Sequence, residues 1–465
     1  MQHLYLSIGR ELELGGRYRD ALDIYDQMQA DAQAKGSQDL EFSGLMAHAK
    51  IYATPNPEQD PTLAKQLLEE ALAYTHRTQN PEDEARVLWN LLVLSAYGGG
   101  DFSEAIQLGE QALAISRENY LEELTPFILN DLTYAYLGSN QTLLTRKTQR
   151  EAARLWRKIG NLPMLVNSLS ISIPMAYLLG DYERAIQESE EALELRRLTG
   201  NEWGQAGSLA FIGLVFHELG QIDRALESYQ MAYELGIKTK HRAAYIIAPS
   251  CLAWLLADLG DINQALTVVN RAYKHALATQ TWYLPVWALM IIVQLHLRNN
   301  DLSNAQQTLM ELRQIDKSTG LRWFTPIFVP LSEAELSLNG QDYSTAMQTI
   351  DGLLEYLEQT GTRTLVSDAL VLKAQAQVEL GLHEDAWHTL LQARQAAEDI
   401  GSQRSLWRVL AKLAMVYELK GDHVEAAQLR GKIREVLQYI FDHISNEELR
   451  NSFLNRREVR EHLQT

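Results

Sequence analysis

Several places in this chain hold side chains of the kind that do chemistry, at spacings that invite a test. His383-Glu384-Asp385-Ala386-Trp387-His388 has the outline of a zinc motif. Its histidines are five apart, whereas two ligands on one helical face are four apart, so no metal site is expected there. Lys317-Ser318-Thr319 ends as a phosphate-binding loop ends, but no glycine loop precedes it. Gly98-Gly99-Gly100 reads as a loosened turn and not as a phosphate cradle. Paired carboxylates such as Glu190-Glu191 would need a shared pocket to act as acid and base, and they read as a solvated helix face. No Gly-x-Ser-x-Gly elbow occurs. Cys251 stands alone, which leaves no internal disulfide and no multi-cysteine metal site. The expectation is a chain that is not an enzyme, with no catalytic residue, no metal and no cofactor.

Composition narrows the remaining classes. A length of 465 residues would ordinarily suggest about three domains. The net charge is −18 and no basic stripe stands out, so direct nucleic-acid binding is not expected. The acidic excess serves solubility. The start, Met1-Gln2-His3-Leu4-Tyr5, lacks the charged and apolar regions of a signal peptide. The apolar stretches 243–257 and 284–297 are too short to span a bilayer. With one cysteine and no leader, a cytoplasmic, membrane-free location is expected.

What must position any functional side chain is a repeat. Gly180-Asp181-Tyr182-Glu183-Arg184-Ala185 returns as Gly220-Gln221-Ile222-Asp223-Arg224-Ala225, and Gly260-Asp261-Ile262-Asn263-Gln264-Ala265 follows; Gly100-Asp101-Phe102-Ser103-Glu104-Ala105 is an earlier copy. The alanine recurs at Ala21, Ala64, Ala105, Ala185, Ala225, Ala265, Ala305, Ala346, Ala386 and Ala426, with a degenerate copy at Thr145. Fifteen residues after the small residue come Gly36, Gly160, Gly200, Gly320, Gly361 and Gly401. A period near 40 residues punctuated twice means stacked helix pairs and no single globular core. Within residues 205–244, Ser208, Leu209, Ile212, Gly213, Phe216 and Leu219 line one helical face. Ile222, Ala225, Leu226, Tyr229, Ala232 and Leu235 line the next.

The order Gly213, Phe216, Gly220, Ala225, Tyr229, Ala232 resembles the tetratricopeptide repeat (TPR), and Tyr417, Gly421 and Ala426 repeat part of it. The resemblance covers residues 2 to about 440. It implies an all-α, right-handed superhelical solenoid of about eleven helix-turn-helix repeats, residues 1–440, closed by a capping helix and tail over 441–465. The period exceeds the family's 34 residues and the closing proline is mostly absent. Such long units are similar to the sensor repeats of large signalling ATPases of the maltose-activator kind and of bacterial nucleotide-cyclase-like proteins.

The first repeat begins at once, with Tyr5, Ile8, Gly9, Leu12 and Gly16 in place, which suggests a fragment of a longer protein. At the other end, Ser445 with Glu448 has capping-box spacing, and 446–460 resembles the closing segment of those ATPases. Pro174 lies mid-helix, where proline kinks or breaks the ladder, and it reads more as a tolerated irregularity than as a change of curvature. In the TPR family the first helices line a concave face. The resemblance therefore implies a partner or ligand groove of Tyr177, Leu214, His217, Glu218, Ser250, Trp254, Asp258, Trp287, Met290, Gln294, Arg298, Phe328, Leu331 and Glu335. Trp282-Tyr283-Leu284-Pro285 and Trp323-Phe324-Thr325-Pro326 flank it with further aromatics. Alternatively, many of these aromatics wedge between units as core. Asn90 and Asn130 alone do not make the lysine-and-asparagine carboxylate clamp of co-chaperone repeats. Two functions follow as expectations: a protein- or peptide-binding scaffold, the sensor arm of a larger bacterial signalling protein, or a small-ligand sensor that stacks a sugar-like effector on the central aromatics.

Overall fold

The computed structural model describes residues 1–14, 16–54, 56–99, 102–199, 202–279, 284–319 and 324–463. Gly100, Asp101, Gly200, Trp282, Tyr283, Gly320 and Trp323, named above, lie outside them. Among the described residues every regular element is helical. The contacts divide the chain into two compact units, Met1–Asn161 and Leu162–Thr465, a boundary the repeat pattern does not mark.

The first unit holds α1 (Gln2–Leu14), α2 (Tyr18–Lys35), α3 (Gln38–Ala53), α4 (Pro61–Thr78), α5 (Pro81–Leu94), α6 (Phe102–Glu118), α7 (Thr125–Gly138) and α8 (Thr142–Ile159). The second holds α9 (Leu162–Leu178), α10 (Tyr182–Thr199), α11 (Glu202–Glu218), α12 (Ile222–Lys238), α13 (Arg242–Asp258), α14 (Ile262–Ala278), α15 (Leu284–Arg298) and α16 (Leu302–Thr319). It continues with α17 (Thr325–Asn339), α18 (Tyr343–Thr360), α19 (Val366–Glu379), α20 (His383–Ile400), α21 (Gln403–Leu419), α22 (His423–Asp442), α23 (Glu447–Asn455) and α24 (Arg457–Leu463). Helices α1 to α22 make eleven consecutive pairs, as the spacing predicts.

The repeated phrase is a turn with a mechanism. At Gly220 the chain takes φ +73°, a left-handed step that ends α11 without a Cβ penalty. Where the phrase has an aspartate next, as at Asp261, Asp342 and Asp422, its carboxylate accepts the backbone N–H three residues on and caps the second helix. The alanine that follows is sealed between helices; all ten copies from Ala21 to Ala426 are fully buried. Thr145 fits the same slot because its hydroxyl donates to the Gln141 carbonyl, at 2.9 Å. The family's small-then-aromatic pair is steric: a Cβ on Gly213 would sit 2.4 Å from Tyr229 Cε1.

Some local expectations are corrected. Helix α9 runs unbroken through Pro174, as α13 does through Pro249. The C-terminal cap belongs to Asn446, whose side chain accepts from Leu449 N, and not to Ser445. Ser445 is engaged elsewhere: its N–H and hydroxyl donate to Asp223. The helix α8 carries Lys147, Arg150, Arg154, Arg157 and Lys158 on its exposed side, so a basic stripe exists after all. Net charge sums the whole chain, and the stripe emerges only when residues are placed on a helical surface.

Candidate partner-binding interior of the second unit

The second unit folds back on itself. At Gly180 (φ +67°) a Cβ would lie 2.3 Å from Ile400 Cγ2, and at Gly220 one would lie 2.9 Å from Ile440 Cγ1. The Leu178 carbonyl accepts from Arg363 N at 2.8 Å and Thr364 N at 3.2 Å. The Thr364 hydroxyl donates to the Tyr177 carbonyl. Asp223 N donates to the His443 carbonyl at 3.0 Å, and Arg456 reaches the Asp258 carbonyl. Turns at the start of the unit thus rest on helices four to five repeats later. The inner faces of the first helices are covered by α19, α21 and the C-terminal segment.

Charged side chains meet inside this closure. Glu218 accepts from Ser402 Oγ at 2.6 Å and from Arg404 Nε at 2.8 Å. Arg404 also forks onto Asp368 at 2.6 and 3.1 Å, and its guanidinium lies 5.3 Å from the Trp254 ring centre. Asp258 Oδ1 accepts from both Arg298 and Arg408 at 2.5 Å, and His217 Nε2 lies 3.0 Å from its Oδ2. Burial pushes the Asp258 carboxyl up, but Arg298, Arg408 and His217 outweigh it and hold the group well below the usual carboxylate range. Burial likewise works against the Arg404 cation, yet Asp368, Glu218 and Asp258 hold its pKa above the ordinary value. Glu335 moves the other way: burial raises it despite Arg298 and Arg408.

The aromatics form one packed chain. His217 stands edge-on to Trp254 at 5.9 Å, Trp254 to Phe328 at 5.5 Å, and Trp287 to Phe211 at 5.7 Å. Phe324 lies 4.7 Å from Trp287 and 6.4 Å from Tyr177.

The predicted groove positions are all buried or half-buried in the second unit, and His217, Glu218, Trp254, Asp258 and Arg298 meet in this cluster. Tyr177, His217, Glu218, Trp254, Asp258, Trp287, Met290 and Phe328 are buried, as are Leu214, Ser250 and Leu331. Gln294, which donates to Ser332 at 2.9 Å, is half-buried with Arg298 and Glu335. The open face expected for them is not there. A repeat pattern specifies contacts with the next repeat, whereas the cover comes from helices roughly 185 residues away along the chain. The pattern also missed Asp368, Ser402, Arg404 and Arg408; the one available signal was Arg404 and Arg408 four apart on the inward side of α21. Among the described residues no group of three or more histidine, cysteine or acidic side chains could hold a metal ion, and no helix is long and apolar enough to cross a membrane.

Residues 91–418 match the family described as the MalT-like TPR region. Among solved structures the chain is similar to a Rap protein complexed with competence and sporulation factor, at TM-score 0.56 and 13% identity over 78% of this chain and 100% of that one. The apo form of RapI follows at TM-score 0.51 and 11% identity, covering 60% and 99%. A signal transduction ATPase with numerous domains and a tetratricopeptide repeat sensor, from Pyrococcus horikoshii, gives TM-score 0.40 and 12% identity, covering 97% and 74%. No curated protein matches the chain.

Proposed function

The chain belongs to the MalT-like TPR family, and on that premise we propose that it is a partner-recognition scaffold whose second unit opens to take a protein or peptide on the inner faces of its repeats. The observation that carries this is a charge cluster in which buried Glu218 pairs with buried Arg404, and buried Asp258 and Arg404 pair with their half-buried neighbours Arg298, Arg408 and Asp368. Filling the same space with apolar side chains would be as stable or more so, by about 1–4 kcal/mol. Ion pairs there favour one arrangement of the later repeats over others, and a charged partner can replace them one for one. Tyr177, His217, Glu218, Trp254, Asp258, Trp287, Met290, Gln294, Arg298, Phe328 and Glu335 are the contacts an opened interior would offer. Opening would also move the later repeats against the earlier ones, which suits the sensor arm of a larger signalling protein. The sugar-stacking alternative gains no support, because the central rings face one another.

The test is selection of peptides from a displayed random library against the whole chain. Selected peptides should lose about tenfold or more in affinity when Glu218→Gln or Arg298→Ala removes a charged partner. They should also speed amide exchange in α21, which covers the inner faces. Binding that is indifferent to both substitutions would overturn the proposal.

A further inference from the structure

Among the described residues, the positions two, five, nine and twelve residues after the small residue are exposed in the second helices, apart from half-buried Leu391 and Gly431. In α12 they are Glu227, Gln230, Glu234 and Ile237; in α18 they are Gln348, Asp351, Glu355 and Glu358. No second helix other than α8 places more than one lysine or arginine there. Helix α8 fills all four with cations, Lys147, Arg150, Arg154 and Arg157, and adds Lys158 beside them. The stripe spans ~17 Å along the helix. Leu143, 74% exposed, lies one turn ahead of Lys147 on the same line. Arg157 and Lys158 suit the carbonyl end of a helix, but Lys147 and Arg154 gain nothing from its field. Among the described residues Lys158 pairs with Glu122 at 2.9 Å, while Lys147 and Arg154 have no ion pair.

We propose that the outer face of α8 is a docking site for an acidic segment of a partner protein, with an apolar residue at one end to cover Leu143. The stripe is one helix wide. Next to it in the same unit, α6 turns Glu110 and Glu118 outward and is tied to α8 by Arg117 with Glu151 at 2.7 Å. A duplex or an anionic bilayer would press negative charge onto those carboxylates as well, in a chain of net charge −18. A single acidic strand or helix can keep to the cations.

The probe is a fluorescein-labelled peptide of about eight Glu and Asp residues with one terminal Leu, long enough to overrun the ~17 Å stripe. Anisotropy with the whole chain at low salt should show saturable binding that weakens as salt is added. Lys147→Glu with Arg154→Glu should cost about tenfold or more, and Lys147→Gln with Arg154→Gln less, with far-ultraviolet circular dichroism unchanged. Lys274→Gln, on the outer face of α14, should leave affinity unaltered. Three results would overturn the proposal: no saturable binding, binding insensitive to the double reversal, or tighter stripe-dependent binding of a DNA duplex or of phosphatidylserine vesicles than of the peptide.

Discussion

Gly180 and Gly421 occupy the same place in the repeat, and replacing each by alanine separates two costs. Both have positive φ, +67° and +81°, so alanine at either is strained by about 1–2 kcal/mol. Around Gly421 nothing lies within 4 Å of the added Cβ; at Gly180 the new atom would meet Ile400 Cγ2 at 2.3 Å, Ile400 Cβ at 3.1 Å and Arg363 Cβ at 3.3 Å. Isoleucine is stiff at χ1, so its methyl cannot swing aside and the later repeat must back away. Overpacking of this kind adds about 1–3 kcal/mol. A chain of stacked repeats in two units is not a two-state system, so local opening is the proper readout. Amide exchange should speed by roughly fivefold to 150-fold at the C-terminal end of α20 in Gly180→Ala, and not in Gly421→Ala. Ile400→Ala combined with Gly180→Ala should restore part of the protection lost by Gly180→Ala alone. Equal effects of the two glycine substitutions, or a Gly180→Ala effect confined to α9 and α10, would refute the fold-back contact as an energetic link.

Three further outcomes follow. Arg404→Ala leaves Glu218 and Asp368 without their shared cation, and should speed amide exchange in α21 by about 100-fold or more, whereas Arg404→Met with Glu218→Leu should speed it less than the single change; a single change with a smaller effect than the double would contradict this. Asp223→Ala frees Ser445 and should raise amide exchange across α23 and α24 without altering the first unit; unchanged exchange there would dissociate the two. In the first unit burial pushes Asp131 up to about 6, against hydrogen bonds from Trp89, Tyr97 and Asn130. The folded state then holds the proton more tightly than the unfolded one, so this group's stabilisation is present below pH ~4 and is lost as pH rises through about 6. The stability difference between wild type and Asp131→Asn should shift towards the variant by about 1–3 kcal/mol from acid to neutral pH, and a flat difference would show that the carboxyl is unperturbed.

The repeat was legible because each of its letters answers to a short-range constraint. A left-handed step, a cap and a contact too close for more than a methyl group are all settled within one helix pair, and Gly220, Asp261 and Ala225 obey them. Even the degenerate copy is intelligible, since Thr145 supplies its own acceptor in the Gln141 carbonyl. The capping-box spacing points to Ser445, one residue short of the cap at Asn446, for a different reason. Ser445 has the right spacing to Glu448, but a distant aspartate claims its hydroxyl. Local propensity loses there to a tertiary hydrogen bond.

The inner face fails in the same way on a larger scale. Trp254, Asp258 and Arg298 belong to the first helices of their pairs, which the resemblance assigns to a concave face, and here they are covered. Whether the face is open depends on the curvature accumulated over four to five repeats, and no single repeat encodes that. The residues that decide it, Arg363, Ile400, Arg404 and Ile440, look ordinary within their own units. Closure also changes what the charges mean. On an open concave face Glu218 and Asp258 would be solvated and cheap; once covered, each requires a cation, and the arginines of α21 and α15 supply it. The two halves of that bargain are far apart in the chain, so either can be disturbed without damaging the repeat that carries it. A partner that offered its own cation to Glu218 or Asp258 would weaken the hold of α21 without touching the helix-pair cores, whose alanines stay sealed whichever way the later repeats lie.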